Sequence, residues 1–372
     1  MPSRYLSRIR LTHFRNYQSA ALDLDSRHVV LVGPNGAGKT NLLEAISLLA
    51  PDRGLRRAPF DELGAHGSDG AWAVAVTVET PDGPADIGTG LGPDGARKVR
   101  INGATARAVE DMSDYLRVLW LTPAMDGLFT GPAGDRRRFL DRLVTTLVPS
   151  HASAVADFDK AMRQRNRLLE ENADPVWMGA VEQSMAEAAA AIHFARIDCI
   201  THLEDLIAAS AEGDFPAAHV ALTPLFPDGA QPQTASGLEA AFRDRWATFR
   251  GQDRAAGRTL IGPHRADFEV RYAQKDVPAA LGSTGEQKAL LIGLVLAHAR
   301  LVAKMTAITP FLLLDEIAAH LDPGRRAALF SALDRLETQC FMTGTDPMLF
   351  EALGGRARTV LVSNGQLDVK AA

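Results

Sequence analysis

The segment Gly33-Pro34-Asn35-Gly36-Ala37-Gly38-Lys39-Thr40 constrains this chain more than any other stretch. It follows an apolar run, Val29-Val30-Leu31-Val32, and opens a pattern that reads as a helix from Lys39 to about Leu49. Glycines let such a loop curl until successive backbone N–H groups point inward at an anion. The N-terminus of the following helix adds partial positive charge. In this arrangement Lys39 reaches the β- and γ-phosphates of a nucleoside triphosphate, and the Thr40 hydroxyl takes Mg²⁺. The strand–loop–helix context predicts a nucleotide site over Gly33 to Thr40.

Two later segments extend that expectation. Phe311-Leu312-Leu313-Leu314-Asp315-Glu316 is an apolar strand ending in two carboxylates. A continuous apolar run suits a buried parallel strand, and ligands gather at the carboxyl ends of such strands. Asp315 is placed to hold Mg²⁺ through water. Glu316 is placed to orient and polarise the attacking water, a positioning role that dominates phosphoryl transfer. The plainer alternative is a carboxylate that caps the next helix. Leu281-Gly282-Ser283-Thr284-Gly285-Glu286-Gln287-Lys288 precedes a helix that is apolar nearly all round, hence buried. Ser283 and Gly285 at its N-terminus form a second anion site, for which one chain has no obvious phosphate. The economical reading is a γ-phosphate bound by a partner protomer. Ser283 with Glu286 three residues on also spells a capping box, and the two uses can coexist.

The 372 residues allow about two or three domain-sized units. Residues 5–14 alternate apolar and polar, with Leu6, Ile9, Leu11 and Phe14 as candidate buried positions. Further strands are expected at 20–24, 28–32, 72–79, 97–101 and 118–121, with Asn102-Gly103 as a hairpin turn. From Asp135 to about Ser210 the chain turns Ala-rich, with expected helices at 134–147, 151–172 and 177–210 broken at Pro149 and Asp174-Pro175. A Pro/Gly linker at 224–237 leads to a helix at 238–250 and strands at 258–261 and 268–273. The last third predicts a helix at 284–304, a strand at 311–315, a helix at 324–337 and strands at 340–343 and 359–362. The whole reads as one α/β domain split by a mostly helical insertion: residues 1–122, the insertion 123–256, and 257–372.

Composition narrows the alternatives. An apolar fraction of 46% and a charged fraction of 23% exclude wholesale disorder. Cys199 and Cys340 lie far apart with no CxxC, so neither a disulfide framework nor a zinc site is supported. The longest apolar run, Ala289 to Ala297, falls far short of the roughly 20 residues of a membrane span. Met1-Pro2-Ser3-Arg4-Tyr5 lacks the apolar stretch of a signal peptide, so a cytoplasmic protein without a membrane partner is expected. The formal charge of −5 argues at first against a nucleic-acid partner. Its distribution does not: residues 1–57 carry +5 and 133–170 carry +3, while 171–240 alone carries −10.

The three motifs in this order, with about 240 residues between the first two, resemble the ATP-binding-cassette heads of the SMC/Rad50-like group, and within it the RecF family. The stretches that carry the resemblance run nearly the whole length. They are Leu11-Thr12-His13-Phe14-Arg15-Asn16-Tyr17, Gly54-Leu55-Arg56-Arg57-Ala58, Ile101-Asn102-Gly103, Leu121-Thr122-Pro123 and Gly131-Pro132. Further on come Arg136-Arg137-Arg138-Phe139-Leu140-Asp141, Arg163-Gln164-Arg165-Asn166-Arg167-Leu168-Leu169 and Gly262-Pro263-His264-Arg265-Ala266-Asp267. The resemblance implies a P-loop ABC-type ATPase head, a mixed sheet with flanking helices, split by a helical lobe. It implies a weak ATPase that binds ATP and Mg²⁺, dimerises around two ATP molecules, and binds double-stranded or gapped DNA. It also implies work with RecR and RecO to load RecA at single-stranded gaps, in recombinational repair and the SOS response. By position, Gly33 to Thr40 bind ATP, Asp315 and Glu316 serve Mg²⁺ and water, and Ser283 and Gly285 complete the site across the dimer. Ala319-His320-Leu321-Asp322 is then the loop that meets the partner.

Three departures stand out. Glu286 replaces the Gln frequent in the family. No Gln lies in 41–70, where transporter cassettes keep one that contacts metal and water. Thr343-Gly344-Thr345-Asp346 carries no His for the γ-phosphate, leaving Thr343 or Thr345 as hydroxyl donors. The two losses, of the Gln and of the His, suit slow turnover, used as a switch.

For DNA, the candidate contacts are Arg56 and Arg57, within a basic block that includes Arg4, Arg8, Arg10, Arg15 and Arg53, and Arg136, Arg137 and Arg138 in the insertion. Arg163 and Arg167 share a helix face, where pairing with Glu170 and Glu171 is the plainer reading. His264 and Arg265 stay open between nucleotide contact and a structural role. The competing functions are an ABC-transporter ATPase subunit and a Rad50- or RecN-like head. The former is disfavoured by the helical insertion. The latter has only about 75 mostly helical residues (roughly 135–210) for a coiled coil.

Overall fold

The computed structural model describes residues 2–65, 67–68, 70–92, 94–209, 214–226, 228–229 and 231–369, with the His320 side chain left aside. In chain order the elements begin with strands β1 (Tyr5–Phe14), β2 (Tyr17–Asp23) and β3 (His28–Val32) and helix α1 (Lys39–Ser47). Strands β4 (Trp72–Thr80), β5 (Gly83–Leu91), β6 (Arg97–Ile101), β7 (Ala104–Thr105) and β8 (Val118–Leu121) follow. Helices α2 (Ala133–Leu147), α3 (His151–Glu170) and α4 (Pro175–Ala209), strand β9 (Ala218–Leu222), helix α5 (Ala235–Ala256) and strands β10 (Phe268–Tyr272) and β11 (Val277–Pro278) form the middle. Helix α6 (Thr284–Thr306), strand β12 (Phe311–Leu314), helix α7 (Pro323–Arg335) and strands β13 (Cys340–Gly344), β14 (Ala357–Ser363) and β15 (Gln366–Val369) complete the chain.

Two compact units result. The first comprises Met1–Gly127, Ser210–Ala217 and Gly282–Ala372; the second comprises Leu128–Ala209 and Ala218–Leu281. The division therefore falls five residues later than the expected 122/123 and well beyond the expected 256/257. Pairing explains the second shift. Strand β10 zips onto β9 from Phe268↔Leu222 to Tyr272↔Ala218, which ties residues up to 281 to the second unit.

The first unit holds two six-stranded sheets. One has the order β15-β14-β3-β13-β12-β8 and is parallel except for the β14–β15 hairpin. Strands β3, β8, β12 and β13 are buried throughout, as their unbroken apolar runs require. The register Leu314↔Leu121, Leu314↔Met342 and Gly344↔Val32 brings four carboxyl ends to one edge. The other sheet, β2-β1-β4-β5-β6-β7, is antiparallel with one face in the core. Helix α6 is the one described helix long and apolar enough to cross a membrane, and two-thirds of its apolar window is buried within the fold, as for a core helix.

The second unit packs α2 to α5 with the small sheet β11-β10-β9. At its centre Arg165 is wholly buried; it donates to Glu182 at 3.0 Å, Asp253 at 2.7 Å, the Thr259 hydroxyl at 2.9 Å and the Trp246 carbonyl at 3.0 Å. The expected strand at 258–261 is absent for this reason. Gly257 closes α5 in a left-handed turn, and the Thr259 hydroxyl and Leu260 N–H are taken by Arg165 and Asp253 instead of a strand neighbour. Strands β5, β9, β11 and β15 escaped the sequence reading. In β5, Gly-Pro-Ala-Asp-Ile-Gly-Thr-Gly-Leu has poor strand propensity, and pairing to β4 and β6 overrides it. The expected last residue of the third helix, 210, lies outside the described residues.

Candidate nucleotide-binding site

The site grows from the carboxyl edge of the parallel sheet. After β3 the chain turns through Gly36 (φ 79°) and Gly38 (φ 118°), left-handed conformations that glycine adopts without strain. Gly38 is also hemmed in: a Cβ there would lie 2.6 Å from Asn16 Nδ2 and 2.8 Å from the Tyr17 hydroxyl oxygen. Around Gly36 a Cβ would meet nothing within 4 Å, so the tip of the loop is open. Lys39 is 5% exposed, and its Nζ donates to the carbonyls of Gly33 at 2.7 Å and Pro34 at 2.9 Å. Burial pushes the ammonium below its ordinary pKa, while Glu316 and Asp315 pull it back up. The amine is thus parked in its own loop beside two carboxylates.

The Thr40 hydroxyl donates to Asp315 at 2.9 Å (Oδ1) and 3.1 Å (Oδ2). From the end of β13, the Thr343 hydroxyl donates to Asp315 Oδ1 at 2.7 Å and accepts the Glu316 N–H at 2.9 Å. Glu316 itself sits at φ 54°, a left-handed conformation uncommon for a side-chain-bearing residue, which ends β12 abruptly. Lys39, Thr40, Asp315, Glu316 and Thr343 are therefore brought together from three parallel strands. Of the two threonines left open by the sequence, Thr343 is buried and committed to Asp315, whereas Thr345 is exposed.

A second layer was not foreseen. Asn16 Nδ2 donates to the Ala37 carbonyl at 3.0 Å and the Tyr17 hydroxyl to the Gly38 carbonyl at 3.0 Å, so the β1–β2 turn braces the loop from behind. Arg15 makes a bidentate pair with the buried Glu44 of α1, both bonds 2.9 Å. Arg56 joins it, donating to Glu44 and to Asn41 at 2.7 Å each. Here the backbone bends sharply at the end of β1, where His13 and Arg15 both adopt positive φ.

Ser283 and Gly285 stand apart from this cluster: among the described residues no hydrogen bond joins either to the phosphate loop. Ser283 caps α6, its Oγ accepting the Glu286 N–H at 3.3 Å while Glu286 Oε2 accepts the Ser283 N–H at 2.8 Å. The capping box is real, and the Gly285 carbonyl accepts from Arg325 at 3.2 Å.

The arginine candidates divide. Arg136 is not free for a phosphate; Asp267 takes it bidentately at 2.9 and 2.6 Å, and the Gly131 carbonyl takes its third nitrogen at 2.6 Å. Arg137 donates to the Ala266 carbonyl at 3.1 Å, and burial lowers its pKa. Arg138 pairs with Asp135 but remains half exposed, as does Arg57, 3.7 Å from Asp52. Arg167 pairs with Glu171. His264 is engaged within its own unit: its Nε2 meets the Thr259 carbonyl at 3.0 Å, its ring packs on Phe158, and burial holds it neutral with a pKa of about 4.

Against known proteins, residues 5–366 match the RecF/RecN/SMC N terminal domain family. The chain is 54% identical over 371 residues to the DNA replication and repair protein RecF of Mesorhizobium japonicum, covering 98% of both sequences. Two solved structures of the recombination mediator protein RecF in the RecFOR pathway share the fold. RecF-ATPrS matches with a TM-score of 0.84, covering 100% of this chain and 99% of its own, and RecF-ATP with 0.81, covering 100% of both; each is 21% identical.

Proposed function

The chain belongs to the RecF family of DNA replication and repair proteins, and we propose that it is an ATP-gated DNA-binding switch of recombinational repair. The observation that carries this reading is the convergence of Lys39, Thr40, Asp315 and Thr343 at one edge of a parallel sheet. The backbone N–H groups of the loop from Asn35 to Thr40 take the phosphates, and Lys39 leaves the Gly33 and Pro34 carbonyls for the β- and γ-phosphates. Thr40 and Asp315 are hard oxygen donors that suit Mg²⁺. When bound, that ion neutralises charge developing on the phosphates. Glu316 orients the attacking water, and Thr343 holds the Asp315 carboxylate and the Glu316 backbone in place.

Ser283 and Gly285 complete the nucleotide site of a second copy, so ATP closes a homodimer. That neither hydrogen-bonds the phosphate loop of its own chain among the described residues supports this. The absence of His from Thr343 to Asp346 suits a weak ATPase. The family supports the wider setting: a cytoplasmic protein without a membrane, engaging double-stranded and gapped DNA. There it acts with RecR and RecO to load RecA and support the SOS response.

Steady-state ATP turnover with and without duplex DNA tests the site. Lys39→Ala is expected to lose nucleotide binding, and Glu316→Gln to retain binding while turnover falls by about 10²-fold or more. Wild-type turnover in Glu316→Gln would refute its assigned role.

A further inference from the structure

The antiparallel sheet buries one face and leaves the other open, and strand pairing lines up the outward residues in rows. One row runs Ala21, Arg10, Ala75, Gly88, Arg100 and Thr105 across its six strands. A neighbouring row runs Ser19, Thr12, Ala73, Gly90 and Lys98. The two middle strands thus present small residues, while β1 and β6 on either side present long cations. The result is a shallow depression of about 490 Å³, lined among others by Arg8, Arg10, Ala75, Gly88 and Arg100.

Three details point to a ligand. Arg10 and Arg100 are exposed and form no ion pair among the described residues, and their row sets them on either side of the two middle strands. Of the acids on this face, Asp23 is paired with Arg8 at 2.6 Å, and Glu79 and Asp86 accept hydroxyl bonds from Ser7 at 2.8 Å and Thr77 at 2.7 Å, so none takes Arg10 or Arg100. Gly88 is not demanded by the fold, since its φ is ordinary and a Cβ would meet only the Val74 carbonyl, at 3.8 Å. Gly90, by contrast, is forced, because a Cβ there would lie 2.5 Å from the Trp72 carbonyl. A glycine that packing does not require weakens a strand and leaves room for another backbone to come close.

Three strand spacings separate Arg10 from Arg100, about 14 Å. That is close to the span of a DNA major groove, about 12 Å. These rows present no aromatic side chain, so the base stacking used to hold single strands is missing. We propose that this face seats duplex DNA by its phosphates, with Arg10 and Arg100 holding the two strands on either side of the Ala75–Gly88 floor. The proposal rests on the DNA-binding reading above and adds where the duplex lies. It also moves the contact surface away from Arg136 and Arg137, which the fold consumes.

Fluorescence anisotropy of a labelled duplex with ATP, over a salt series, tests it. The double variant Arg10→Ala/Arg100→Ala is expected to bind at least about tenfold more weakly and to lose up to about 1.8 from the slope of log K against log salt. Ala75→Glu, which puts a carboxylate on the floor and leaves both arginines, is expected to weaken binding similarly while DNA-independent ATP turnover stays at wild type. Wild-type affinity and slope in both variants would overturn the surface alone. A wild-type chain that binds no duplex would overturn the DNA-binding reading as well.

Discussion

Asp315 is the most heavily engaged side chain of the site, receiving hydroxyl bonds from Thr40 and Thr343. Thr343 serves two masters, because its oxygen also accepts the Glu316 N–H that follows the strained turn. Removing that hydroxyl leaves both partners short of a bond in a buried place, at a cost of about 1–3 kcal/mol. Thr343→Ala is therefore expected to lower the thermal midpoint and ATP turnover together, while Thr343→Ser stays near wild type in both. Calorimetry and a turnover assay check this; a Thr343→Ala protein as active as wild type would contradict it. At this scale the sequence was half legible. Lys39, Thr40, Asp315 and Glu316 declare themselves because each lies in a short local pattern. Asn16 and Tyr17 do not, since they act on backbone carbonyls 21 residues away, which no spacing rule reveals. Arg136 misled for the same reason: its partner Asp267 is 131 residues distant.

Among the elements, the long helices α3, α4 and α5 and the parallel strands follow from apolar periodicity and length. The weak strands β5 and β9 exist because their neighbours pair with them. The helical unit also carries a charge economy that composition hides. Arg165 on α3 looks like a solvated cation in sequence and is instead the buried hub for Glu182 and Asp253. Nearby, burial and then Arg196 hold His193 neutral with a pKa of about 4, and burial does the same for His264. Both lie below the ordinary value of 6.5, so the unfolded chain binds protons that the folded unit refuses. Stability is full above pH 6.5 and is lost as pH falls toward 4. The size is on the order of 2 kcal/mol for each histidine. Burial works against Asp141, yet Arg196 and His151 hold it at about 2, so its contribution persists until below pH 3.8. Thermal melts at pH 7, 5.5 and 4.5 are expected to fall progressively, and more shallowly in His193→Asn. A flat profile in wild type would refute the assignment.

At the scale of the whole molecule, the net charge of −5 conceals an open sheet face with unpaired arginines and a helical unit that spends cations such as Arg136, Arg165 and Arg196 on its own acids. The split organisation was legible from the return of strands after the Ala-rich helices. The place of the second division was not, because it depends on β10 pairing with β9 across some 45 intervening residues. In the function we propose, ATP joins two copies through the phosphate loop of one and Ser283 of the other. Sedimentation velocity with and without ATP, on wild type, Lys39→Ala and Ser283→Arg, tests it most directly. Wild type is expected to form ATP-dependent dimers, Lys39→Ala to stay monomeric because nucleotide binding fails, and Ser283→Arg to stay monomeric while still binding nucleotide. Normal ATP-dependent dimers of Ser283→Arg would contradict it.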